Sequence, residues 1–154
     1  MNGRSVAFWA VIGIASFLYF GAPMGERKEY KSRMYAQETA ALRNLQIVNT
    51  AQVQFNSQFG RYARSLTELG PSVSNLISAD LAAGEKHGYK FTLTGTPTRY
   101  KLTAASSVLR STGVRTFYSD QSLTIRESYG PEPATANSRE VGSSAANPGE
   151  TKQQ

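Results

Sequence analysis

The sequence predicts an α+β fold: a long N-terminal helix laid on an antiparallel sheet of about four strands. Three observations predict it. An apolar run from Ser5 to Ala22 is followed by a helical pattern that continues to Phe59. From Tyr89 the hydrophobic period changes to two, as pleated strands require. Between these regions lie short segments punctuated by Gly and Pro, which set helix and strands apart as successive blocks.

The run SVAFWAVIGIASFLYFGA has no charge between Arg4 and Glu26. Eighteen helical residues reach roughly 27 Å, enough for a thin hydrocarbon core. The expectation is therefore a membrane anchor over residues 1–24. Its lipid-facing residues are Val6, Phe8, Trp9, Val11, Ile12, Ile14, Phe17, Leu18 and Phe20. A cleaved secretory signal is the competing reading, with Arg4 as the basic end, although Gly21-Ala22-Pro23 makes an awkward cleavage site. Pro23 lacks a backbone donor and is expected to kink the helix where lipid gives way to the polar GERKEYKSR stretch.

Beyond Tyr30 the apolar positions recur at helical spacing. Met34, Ala41, Leu45, Val48, Gln52, Phe55 and Phe59 form one face, while Arg43, Asn44, Gln46 and Gln54 fall mostly elsewhere. Gly60 suits the residue that ends the helix. Ser65 and Glu68 have capping-box spacing for a short turn, broken by Gly70-Pro71. A second short helix fits within Val73 to Ala83, stopped at Gly84. Strands are expected over Tyr89–Thr94, Tyr100–Ala104, Arg115–Ser119 and Leu123–Arg126, with turns at Gly95-Thr96-Pro97 and Asp120-Gln121-Ser122. Lys90, Arg99, Lys101 and Arg126 are expected on the outer face of the sheet, as a patch for an anionic ligand. Residues 25–129 thus form one domain. Residues 130–154, rich in Pro, Ser, Ala and Gly, are expected to be a disordered polar tail.

The 154 residues include 17 Lys/Arg and 11 Asp/Glu, a net charge of +6. Fourteen of the bases and eight of the acids lie between Met24 and Tyr129, so the excess belongs to the expected domain. A basic surface suits acidic lipid headgroups, nucleic acid or an acidic partner. There is no cysteine, which excludes disulfides, thiolate metal sites and thiol nucleophiles. His87 is the only histidine and stands in an expected loop. No metal-ligand spacing, nucleophile elbow or phosphate loop is present. An enzyme is not expected, nor is a cofactor.

Two stretches carry a family resemblance. Ala10-Val11-Ile12-Gly13-Ile14 followed by Pro23 resembles the middle of a pilin membrane helix and its kink. LRNLQIVNTAQVQFNSQFGRYARSLTELG, Leu42 to Gly70, is similar to the helix-to-loop region of small pilin-like proteins, and GYKFTLTGT and TFYSDQSLTIRES resemble their strands. Over residues 10 to 127 the chain resembles type IV pilins and the pseudopilins of type II secretion. It departs from them at the N-terminus: Gly3 is followed by Arg4, the fifth residue after Gly3 is Phe8, and the apolar run holds no acid.

The resemblance implies a membrane-anchored structural subunit that works by assembly in a type IV pilus or a type II secretion type machine of the cell envelope. It implies an inner-membrane, single-pass placement with the sheet domain in the periplasm, although the Lys/Arg count leans the other way. Membrane lipid and other pilin-like subunits or envelope assembly proteins are the implied partners. The alternative is a tethered basic module that binds DNA or an anionic envelope polymer. The DNA signal is weak, because strand alternation sends the neighbouring aromatics to the core.

Overall fold

The computed structural model describes residues 24–107, 114–130 and 132–143. Helix α1 spans Met24–Phe59. No Gly or Pro interrupts it after Gly25, and Ala, Leu, Gln and Glu recur along it, so local preference and pattern agree. The chain divides into two compact units between Arg33 and Met34. In the first, residues 27–33 of the helix are all exposed, with an i,i+4 pair between Glu29 and Arg33 at 3.6 Å. In the second, Ala41, Leu45, Val48, Ala51 and Phe55 are buried along one face. Gly60 ends the helix at φ 68°, and its N–H donates to the Asn56 carbonyl at 2.9 Å.

The short elements follow their local signals. Helix α2, Leu66–Leu69, starts at Ser65, whose Oγ accepts from the Glu68 N–H. Glu68 in turn holds Arg61 at 2.9 Å; that hydrogen bond is the main reason its carboxyl lies below the ordinary range. Helix α3, Ala79–Ala82, stops before Gly84 at φ 89°. Leu66, Leu69, Ile77 and Leu81 from this region close the core beside α1.

Six strands follow in one antiparallel meander, each paired with its sequence neighbours. They are β1 (Glu85–Lys86), β2 (Tyr89–Gly95), β3 (Tyr100–Ser106), β4 (Arg115–Asp120), β5 (Arg126–Tyr129) and β6 (Arg139–Glu140). Tyr89, Phe91, Leu93, Tyr100, Leu102, Ala104 and Phe117 point inward and pack with the buried face of α1. Lys90, Thr92, Thr94 and Lys101 alternate outward.

Several expectations are corrected. The sheet has six strands, not four. The added strands are two residues long, too short for an alternation to register. β1 is made by a tight hairpin: His87 (φ 52°) and Gly88 (φ 75°) are the two left-handed residues of the turn. The strand expected over Leu123–Arg126 begins only at Arg126, because Leu123 (φ 63°) closes a turn with its N–H on the Asp120 carbonyl.

The stretch from Gly130, expected to be disordered, is ordered where described. Thr116 Oγ1 donates to the Glu132 carbonyl at 3.0 Å and accepts from the Ala134 N–H at 2.8 Å. Ala134 is buried, and β6 then pairs with β5. Polar contacts and strand pairing hold this segment, and neither needs apolar periodicity.

Among the described residues no helix is long and apolar enough to cross a membrane. The expected transmembrane helix, and with it the single-pass, inner-membrane placement, therefore has no support in the described fold. The described helix carries Glu26, Arg27, Lys28 and Glu29 in its first two turns, too polar for lipid. Val6, Phe8, Trp9, Val11, Ile12, Ile14, Phe17, Leu18, Phe20 and the expected kink at Pro23 lie outside the described residues.

Candidate functional site

Helix α1 is fastened to the sheet by polar side chains as well as by its apolar face. Glu38, buried, accepts from the Val114 and Arg115 N–H groups at 2.9 and 3.3 Å and from Arg115 Nε at 2.8 Å. Arg115 continues to Glu127 at 2.9 Å, and Glu127 also takes Arg139 of β6. Burial works against the charge of Arg115, but its hydrogen bonds to Glu127 and Glu38 outweigh it and raise the guanidinium pKa. Further along the helix, Asn49 Nδ2 donates to Ser119 Oγ at 2.8 Å, and its Oδ1 accepts from the Tyr100 hydroxyl at 3.0 Å. Gln52 makes two bonds to the Ala63 backbone: its Oε1 accepts from the N–H at 2.9 Å and its Nε2 donates to the carbonyl at 3.0 Å. These groups satisfy one another inside the fold. They fix the helix in rotation and register on the sheet, leaving the opposite helix face open.

Two buried tyrosines make stability depend on pH: Tyr100, and Tyr89, whose hydroxyl donates to the Arg115 carbonyl at 3.0 Å. Burial, and then the nearby charge of Glu38, push the Tyr89 hydroxyl above the ordinary phenol value; burial does the same to Tyr100, helped by Tyr62 and Asp120. The unfolded chain releases these protons near pH 10 while the folded chain retains them. The stabilisation is therefore complete below about pH 10 and is lost as pH rises beyond it. Denaturant midpoints at increasing pH are expected to fall there.

The open face of α1 carries Arg43, Gln46, Ile47, Thr50, Val53 and Gln54, all exposed at spacings of three and four. Ile47 and Val53 are 47% and 46% exposed. A shallow groove flanks this ridge on each side: one of about 380 Å³ bounded by Leu76, the other of about 310 Å³ bounded by Leu123. Tyr35, 68% exposed, stands earlier on the same helix. The sequence pattern marks the buried face but not this ridge. The signal for it is Ile47 and Val53, two β-branched residues outside the core stripe.

The expected anionic-ligand patch is only partly assembled. Lys90, Arg99 and Lys101 are exposed. Lys90 pairs with Ala105 near one end of the β2–β3 ladder, whereas Lys101 pairs with Thr94 near the other, about 13 Å along the strand. Arg126 is already engaged, with Glu140 at 3.1 Å and the Ser138 carbonyl at 2.9 Å. Its partners lie in the segment expected to be disordered, so nothing in the sequence pattern pairs it with them. Arg99 and Lys101 alone come together. They line an open cleft of about 450 Å³ with Thr94, Thr96, Tyr118 and Asp120.

No group of three metal-ligating residues occurs among the described residues. No protein-family model matches the chain, and neither a curated protein nor a solved structure matches it.

Proposed function

We propose that this protein is a non-catalytic structural subunit that acts by assembly, in the manner of the pilin-like and pseudopilin-like proteins it resembles. The observation that carries the reading is the helix α1 held rigidly on one side and open on the other. From Met34 to Phe59 the inner face is closed by the sheet and pinned by Glu38, Asn49 and Gln52. From Arg43 to Gln54 the outer face is a ridge between two grooves. Ridges and grooves of this kind are what helices use to pack on one another. A fixed helix loses little conformational freedom when a partner docks, which favours repeated association over loose contact. The partners are other pilin-like subunits, identical or related.

The chain has no cysteine, so a single introduced one reports contact without background. Full-length protein carrying Ile47→Cys is expected to form covalent dimers with a short bifunctional maleimide. Lys90→Cys, on the outer sheet face, is expected to stay monomeric. A chain that remains monomeric at both positions contradicts the reading.

A further inference from the structure

The cleft at the turn between β2 and β3 has a composition that neither packing nor the open helix face explains. Thr94, Lys101 and Asp120 stand side by side across three strands. Arg99 enters from the turn and Tyr118 from β4. Among the described residues, the side chains of Arg99 and Lys101 make no ion pair. Lys101 lies directly opposite Asp120 in the ladder without pairing with it; the Asp120 Oδ1 accepts from the Ser122 N–H at 2.9 Å and its Oδ2 from the Tyr118 hydroxyl at 3.1 Å, which orients the carboxylate and leaves each oxygen a further lone pair. These two cations therefore share a small open volume with an oriented carboxylate, a half-buried tyrosine and the Thr94 hydroxyl, while the Thr96 hydroxyl is spent on the Arg99 backbone within the turn. Burial opposes the charge of Asp120, but the Ser122 and Tyr118 hydrogen bonds prevail and keep the carboxyl below its ordinary range.

We propose that this cleft binds an acidic sugar, with Arg99 and Lys101 holding its anion and Asp120, Tyr118 and Thr94 meeting its hydroxyls. The carboxylate decides between ligand classes. A nucleic-acid backbone offers only acceptors, and a bare phosphate little beyond its own charge and a P–OH, so Asp120 disfavours both. A sugar acid offers an anion to the cations and hydroxyl donors to the carboxylate at once. The volume, about 450 Å³, falls within the range of small-ligand sites. The proposal stands apart from assembly through the helix, because its residues lie on the outer sheet face.

Calorimetric titration of the full-length chain at low salt tests it. The probes are tetragalacturonate and monomeric galacturonate, with maltotetraose and inorganic phosphate as comparators. Saturable binding of the galacturonates is expected, with neither comparator binding. Tighter binding of the tetramer supports a polymer as the source, and equal binding a free sugar. Arg99→Ala and Lys101→Ala are expected to weaken binding about tenfold or more, the scale of a lost hydrogen bond to a charged group. Lys90→Ala is expected to leave it unchanged. Asp120→Asn is expected to weaken galacturonate and to admit phosphate. Absence of galacturonate binding overturns the proposal. So does binding that Lys90→Ala reduces as much as Lys101→Ala, which is diffuse attraction to a basic surface. Phosphate or a DNA oligonucleotide binding the unmodified chain as tightly as galacturonate also overturns it.

Discussion

Arg115→Met is expected to destabilise the protein by about 3–5 kcal/mol, the scale of a buried ion pair stripped of one partner. Among the described residues, Arg115 is the only cation reaching Glu38, whose other partners are the backbone N–H groups of residues 114 and 115. It also shares Glu127 with Arg139. Methionine fills much of the volume but leaves both carboxylates buried with too little compensation. Replacing the cluster as a whole should cost far less, because the desolvation of the acids goes with their charge. The variant combining Glu38→Gln, Arg115→Met and Glu127→Gln is therefore expected to recover a large part of the loss. Arg126→Met, which breaks the more exposed pair with Glu140, is expected to cost about 1 kcal/mol or less. Urea denaturation with unchanged slope measures all three. An Arg115→Met variant as stable as Arg126→Met would show that the network does not fasten the helix.

Gly95→Ala is expected to cost about 3 kcal/mol or more, at or above the upper end of ordinary overpacking. A Cβ built there would stand 2.2 Å from the Ala63 carbonyl oxygen and 3.1 Å from Arg64 Cα. The obstacle is backbone, and it has nowhere to go. Gln52 grips Ala63 by both its N–H and its carbonyl, so retreat of that strand of chain would break two buried hydrogen bonds. Gly60→Ala makes the informative comparison. Nothing lies within 4 Å of a Cβ there, but the residue sits at φ 68°, so its cost is the left-handed conformation alone, about 1–2 kcal/mol. Equal midpoints for the two variants in denaturant would contradict the close approach at Gly95.

The main elements are legible in the sequence because each carries its own local signal. Ala41, Leu45, Val48, Gln52 and Phe55 announce one helix face, and all five are buried. Phe59, on the same period, is 53% exposed; the helix ends there, and the ring rests on Phe55 with centroids 4.4 Å apart. Asn44, expected away from the core, is buried, since polarity alone does not place a side chain. The strands β2, β3 and β4 are readable from their alternation. What escapes is what depends on distant partners. Glu38 looks like any helix acid until Arg115, 77 residues away, comes beside it. Arg126 looks unpaired because Glu140 lies in a stretch whose composition suggests disorder. That stretch folds through Thr116, the β5 pairing and the Glu127–Arg139 contact, none of which leaves a periodic trace.

The cleft is half legible. Arg99 and Lys101 stand out as outward bases, while the pattern sends Tyr118 to the core and gives Asp120 only a turn. Cross-strand register puts the four together, and register follows from the hairpin geometry as much as from pattern.

The open face of helix α1 is where assembly would occur, and a cysteine scan from Arg43 to Gln54 in the full-length chain tests it most directly. Each variant is treated with the same short maleimide crosslinker, and the fraction of covalent oligomer is read by position. Assembly through this face predicts a maximum at Ile47, Thr50 and Val53 that repeats with the helical period. Leu45 and Val48, which face the sheet, should give none. A flat profile, or oligomers that form equally well from Lys90→Cys on the sheet, would contradict assembly through this helix.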